Sequence, residues 1–252
     1  MLGEKYHAPC RIVSFTGSLL WALTYARFQL IKKRATCVEL YLVDTLKLPR
    51  DVWIFPAAIL ARILDIKPKG VPWHDDPYHH YLLFGCLPRD DNAVVGRILF
   101  KGIPSEFNAL VPGFDYPDSH ERLNASLDRM ILMGFSWSAG TQITANDISI
   151  ARRAADELIL PIKDKDVHFQ IAMMFLSLRK RKWDQSGFQK LRDAFEGVRI
   201  PSTYLFTSRD SIIHDKLVDV EEWVRGMEYM RCECIMTATL SSLRHTTRVP
   251  VN

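Results

Sequence analysis

Between Arg11 and Lys33 the spacing of apolar residues changes abruptly, and that change restricts the folds open to the chain. "RIVSFT" reads as a short strand of β-branched and aromatic residues. Gly17-Ser18 then breaks the pattern, with Ser18 placed to cap a helix. After the break Leu19, Leu20, Leu23, Ala26, Leu30 and Ile31 recur at helical spacing, and Lys32, Lys33 and Arg34 suit the negative end of that helix. A strand that runs straight into a helix calls for sheet and helix packed on each other.

The next seventy residues continue the alternation. "CVELYLVDT" is apolar on nearly both faces, as expected of a strand inside a sheet. "DVWIF" reads as a short extended piece, and "PAAILARIL" as a short helix with Pro56 near its start. "KPKGVPWHDDPYHH" is a loop of clustered Pro, Gly and Lys. "YLLFGCL" and "AVVGRILF" close the region as a terminal strand pair linked by the turn-rich "PRDDN". Trp21, Tyr25, Tyr41, Trp53 and Phe84 all fall on faces expected to be buried.

Pro and Gly punctuation runs from about Gly102 to Asp118, and the chain beyond reads as mainly helical. Thr144 with Asp147 marks a helix start, followed by an apolar face through Ile148, Ala151, Ala155, Leu158 and Ile159 up to Pro161. "VHFQIAMMFLSLRKRKW" is a second helix, and "FQKLRDAFEG" a third with Gly197 as its stop. "STYLFT" reads as a strand, and "KLVDVEEWVRGMEYM" as amphipathic through Leu217, Val220, Val224 and Met227. The expected architecture is α+β: a domain over residues 1–112 with a small mixed β-sheet and helices, then a mainly helical region over 113–252.

Composition narrows the class of function. With 48% hydrophobic and 25% charged residues the chain has material for a core, and a formal charge of +4 over 252 residues does not by itself indicate nucleic acid. The longest apolar runs, "VWIFPAAILA" and "IAMMFLSL", fall short of the ~20 residues a membrane span requires. "MLGEKYHAPC" has no apolar stretch suited to a signal peptide, and the five cysteines are scattered without zinc-site spacing. The expectation is a soluble intracellular protein, cytoplasmic or nuclear, with reduced cysteines.

Three stretches invite a chemical reading. "WHDDPYHHYLLFG" gathers His74, Asp75, Asp76, His79 and His80. Adjacent side chains in an extended segment point to opposite faces, so His79 and His80 do not converge on one metal ion, and no metal is expected. "ILMGFSWSAG" approximates the G-x-S-x-G turn of serine hydrolases, with Ser136 as nucleophile and Ser138 where the second Gly belongs. Asp210 and His245 follow in the Ser–Asp–His order of the α/β-hydrolases. The basic run Arg179–Lys182, beside Trp183, reads as the solvated end of a helix.

Taken together, "RIVSFTGSLLWALTYA", "VELYLVDTLKLP" and "YLLFGCLPRDDNAVVGRI" resemble an uncharacterised domain widespread in filamentous fungi. Their order resembles the ADP-ribosyltransferase fold, and "ARRAADELILP" through "FLSLRKRKW" is similar to the helical region that follows in such proteins. The resemblance covers about the first hundred residues, and another fifty loosely. It implies a split sheet around a cleft that holds NAD. An arginine on the first strand would grip the phosphates, a Ser-Thr-Ser-like strand would shape the nicotinamide pocket, and a glutamate on a late strand would face the ribose. Ser14, Thr16 and Ser18 match the second part.

The other two parts are missing from the pattern. "HHYLLFG" offers imidazoles where the acid belongs, and Arg11 is too near Ser14 to stand on a separate strand. An imidazole brings no negative charge to a developing cation. The resulting expectation is a non-catalytic or interaction module that keeps the cleft, with a protein partner and no resident cofactor. NAD remains the cofactor that the resemblance would imply. The alternative is an enzyme, either an NAD-using transferase or a serine hydrolase built on Ser136.

Overall fold

A computed structural model describes residues 12–65, 80–85, 87, 92–101, 105–114, 123–136, 140–158, 165–198, 200 and 218–246. The fold class is α+β, with small sheets first and a helical C-terminal region.

The chain starts as its apolar spacing demands. Strand β1 (Ile12–Thr16) leads into helix α1 (Leu19–Ile31). Ser18 sits in extended backbone as the N-cap, and its Oγ accepts from the Trp21 N–H at 3.0 Å. Strand β2 (Val38–Val43) follows, then a single 3-10 turn at Thr45–Lys47 capped by Asp44. Strand β3 (Trp53–Pro56) runs directly into helix α2 (Ala57–Ile63), so Pro56 closes the strand just ahead of the helix. Strands β4 (His80–Phe84) and β5 (Val94–Phe100) complete the β-rich part.

Pairing departs from the local reading. β4 and β5 are not paired with each other. β4 is the centre of an antiparallel sheet ordered β1-β4-β3, with Ser14 opposite Leu82 and Ile54 opposite Leu83. β5 pairs with β2 in a second antiparallel sheet, with a bulge at Leu42/Val43. β2 was expected inside a larger sheet; instead all six of its residues are half-buried, and among the described residues its partner is β5. The period-two pattern of a strand selects its faces but carries no information about which strand lies beside it.

The helical part comprises α3 (Leu123–Phe135), α4 (Ala145–Leu158), α5 (Lys165–Leu176), α6 (Gln185–Ala194) and α7 (Val218–Thr246). Two two-residue strands, β6 (Thr141–Gln142) and β7 (Arg181–Lys182), pair in parallel just ahead of α4 and α6. Thr144 and Asp147 form the expected reciprocal cap. The Asp147 N–H donates to Thr144 Oγ1 at 3.1 Å, and the Thr144 N–H donates to Asp147 Oδ2 at 3.0 Å. Beyond α6, Gly197 takes φ +76°, the left-handed backbone that favours glycine at a helix end.

One hydrophobic cluster joins the β-rich and helical parts across residue 112. It includes Leu20 and Leu23 of α1, Ile98 and Phe100 of β5, Met130 of α3, Phe175 of α5 and Met227 of α7. Arg27, buried on α1, strengthens the junction: its Nε donates to the Phe114 carbonyl at 2.7 Å and its Nη1 to Ser126 Oγ at 3.3 Å.

Two expectations about surfaces are corrected. Trp53 is 61% exposed and Tyr25 38% exposed, while Trp21, Tyr41 and Phe84 are half-buried. The basic run is not a solvated helix end. α5 stops at Leu176, and Arg181 lies in β7 at 1% exposure. Its Nε donates to the Leu176 carbonyl at 2.9 Å, satisfying one of the carbonyls left open at the end of α5, and its Nη1 meets Asp147 Oδ2 at 3.1 Å. A run of four like charges suggests solvation only while the helix is assumed to continue through it.

Candidate functional site

The two antiparallel sheets, α1, α5 and the start of α7 border an open cavity of about 1590 Å³. Its walls are mainly apolar, from Leu40 and Leu42 on β2, Ile54 on β3, Leu83 on β4, and Ile171 and Met174 on α5. Aromatic rings are spread among them. Trp21 and Tyr25, one helical turn apart on α1, stack with ring centroids 5.2 Å apart and planes 8° from parallel. Trp53, Tyr81 and Trp223 line the cavity from β3, β4 and α7.

Among the described residues, four charged ones line it: Glu39, Asp44, Arg50 and Asp219. Each acid already has partners. Glu39 is paired with Arg97 across the β2–β5 ladder and accepts from the Tyr41 hydroxyl at 2.6 Å. Asp44 accepts from the Leu46 N–H at 3.1 Å and pairs with Lys47 at 3.2 Å. Asp219, 4% exposed in the first turn of α7, closes the N-terminus of α1. Its Oδ1 accepts from the Ser18 hydroxyl at 2.9 Å and its Oδ2 from the Leu20 N–H at 3.0 Å. Burial pushes the Asp219 carboxyl above its usual range, opposed by hydrogen bonds from the Leu20 N–H, the Ser18 hydroxyl and the Asp219 and Leu19 N–H groups.

Thr16 and Ser18 both line the cavity, and the Ser18 N–H donates to Thr16 Oγ1 at 3.1 Å. Ser14 stands on β1 in register with Leu82. Ser136 lies elsewhere. It follows helix α3, where a nucleophile turn would need a strand, and its hydroxyl donates to the Leu132 carbonyl one turn back. His245 is in the last turn of α7, and Asp210 lies outside the described residues. Of "WHDDPYHH", only His80, the first residue of β4, falls within the described residues, among which no group of three or more His, Cys, Asp or Glu could hold a metal ion. The proposed strand "STYLFT" lies outside them too.

No family model, curated protein or solved structure matches the chain. The cavity is therefore read from its own chemistry.

NAD is the cofactor the resemblance implies, and its pyrophosphate needs hydrogen-bond donors. The natural source, the α1 N-terminus, already holds the protein's own carboxylate. Arg50 is the one cation among the described lining residues. The described lining residues do not by themselves fit a dinucleotide.

Sequence reading missed Asp219 and Glu222. Of the apolar positions Leu217, Val220, Val224 and Met227 read as one face of α7, Met227 is buried, Val220 and Val224 are half-buried and Leu217 lies outside the described residues, while Asp219, Glu222, Trp223 and Met230 are buried as well. The available signal was positional: an acidic residue in a helix's first turn can meet the N-terminus of another helix as readily as its own.

Proposed function

We propose that the chain is a non-catalytic binding module, a cleft of the ADP-ribosyltransferase kind without that chemistry, whose working part is the cavity between the two sheets. Two small antiparallel sheets border the cavity, and Thr16 and Ser18 stand at its edge. One observation carries the non-catalytic part. Glu39, Asp44 and Asp219, the acids lining the cavity among the described residues, are each engaged in an ion pair or a helix cap. A carboxylate that stabilises a developing ribosyl cation must direct an oxygen at it. Asp219 directs both of its oxygens at α1 instead.

The remaining wall suits binding. Ligand sites are typically concave, largely apolar and furnished with a few polar groups, which describes this one. The test is incubation of the purified chain with NAD while free nicotinamide is followed by chromatography. The expected release does not exceed that of a buffer blank. Turnover that disappears in Asp219→Asn would replace this reading with an NAD-consuming enzyme.

A further inference from the structure

We infer that the cavity takes a planar aromatic ligand that carries no negative charge. The inference rests on the binding-module reading and adds the ligand's chemistry to it.

Shape comes from the rings. The Trp21–Tyr25 stack presents two nearly parallel faces along α1, and Tyr25 is partly exposed where it lines the cavity. A third flat ring can continue that stack, and aromatic faces attract planar neutral groups and cations alike. Trp53 on β3 adds a mostly exposed indole to the same lining.

Charge comes from the polar groups. Among the described residues the lining includes three acids and a single guanidinium. Arg97 and Lys47, which pair with Glu39 and Asp44, are not among the lining residues, so acids outnumber cations there. The donors an anion would seek at the start of α1 are bound to Asp219. A carboxylate, sulfonate or phosphate entering here would exchange its hydration for a largely apolar wall on which Arg50 is the one described cation and acids outnumber it. Such a group loses on both counts.

The experiment uses two probes on the full chain. Proflavine is a planar cation; 8-anilinonaphthalene-1-sulfonate is an aromatic anion. Each is titrated by fluorescence against the wild type and Tyr25→Leu, and melting temperatures are taken alongside. The leucine keeps apolar bulk at a partly exposed helix position and removes the ring with its hydroxyl. Proflavine is expected to bind saturably at one site, and Tyr25→Leu to weaken it roughly tenfold while losing the Trp21 stack lowers the melting temperature by no more than about 4 °C. The sulfonate is expected to bind at least about tenfold more weakly than proflavine to the wild type.

Three results would overturn the inference. Tight sulfonate binding that Tyr25→Leu abolishes would refute the charge selection and leave the binding module standing. Proflavine binding indifferent to Tyr25→Leu would place the ligand elsewhere. Saturable binding of neither probe would remove the module reading as well.

Discussion

Asp219 accepts a 2.9 Å hydrogen bond from the Ser18 hydroxyl across 201 residues of sequence, joining the first turns of α7 and α1. Ser18 thereby serves two partners, capping its own helix through Trp21 and anchoring the helix that arrives last. Ser18→Ala is expected to cost about 1 kcal/mol, the usual worth of a cap. Asp219→Ala, which leaves buried donors on α1 unpaired, should cost about 3 kcal/mol. Because the two residues share one hydrogen bond, the double variant should lose less than the sum of the two singles. Urea denaturation of all four proteins measures this, and strict additivity would show that the tie carries no energy.

The same carboxylate predicts a pH dependence. Burial raises the Asp219 carboxyl above its ordinary 3.8 in the folded state, so the folded protein holds that proton more tightly than the unfolded chain does. Its contribution to stability is then complete below 3.8 and is lost as pH rises through the higher folded value. Asp219→Asn has no proton to lose at that position. The gap in unfolding free energy between wild type and Asp219→Asn should therefore narrow as pH is raised from below 3.8 towards neutrality. A gap that widens would mean that the hydrogen bonds outweigh burial.

Arg181 and Lys182 are neighbours in a basic run but should behave differently. Arg181 is buried against Asp147 and the Leu176 carbonyl, and its own N–H donates to Glu222 Oε1 at 2.9 Å. Burial lowers its pKa to about 10, which leaves it charged at neutral pH. Removing one partner of a buried pair strands the other, so Arg181→Ala should cost about 4 kcal/mol. Lys182, more than half exposed, makes only a 3.7 Å pair with Asp184, and Lys182→Ala should fall within about 0.5 kcal/mol of wild type. Thermal denaturation of the two variants separates a buried anchor from a solvated charge.

Local features were legible in the sequence, and spatial ones were not. Ser18, the Thr144–Asp147 cap and Gly197 act within a few residues, so their spacing alone announces them. β4 was legible as a strand, but its place between β1 and β3 depends on segments far away in sequence. The candidate site failed for the same reason. Ser18 was found at a strand-to-helix break and Thr16 through the family resemblance, whereas Asp219 matters only through the helix it meets. Arg181 reads as one more surface cation until β7 pairs with β6 and carries it inside.

Ser136 should not react as a hydrolase nucleophile. It sits exposed behind α3 with its hydroxyl donated to a carbonyl of the same helix, an arrangement that supplies no base to take its proton. A fluorophosphonate probe is expected to leave the protein unlabelled. Covalent labelling that maps to Ser136 by mass spectrometry and disappears in Ser136→Ala would restore the hydrolase reading.

Gly226 reverses a common rule for helices. Replacing a helical glycine by alanine ordinarily stabilises by about 1 kcal/mol. On α7, however, a Cβ at Gly226 would meet the Trp183 indole at Cζ2 and Cη2 and lie 3.0 Å from Met173 Cε. The indole cannot swing away cheaply, because its N–H donates to the buried Glu222 Oε1 at 2.7 Å. Overpacking of this kind costs about 1–3 kcal/mol, enough to cancel the helix preference and exceed it. Gly226→Ala should therefore lower stability by about 1 kcal/mol in the wild type and raise it, or leave it unchanged, in a Trp183→Leu background. Equal destabilisation in both backgrounds would show that the backbone of α7, not the indole, requires the glycine.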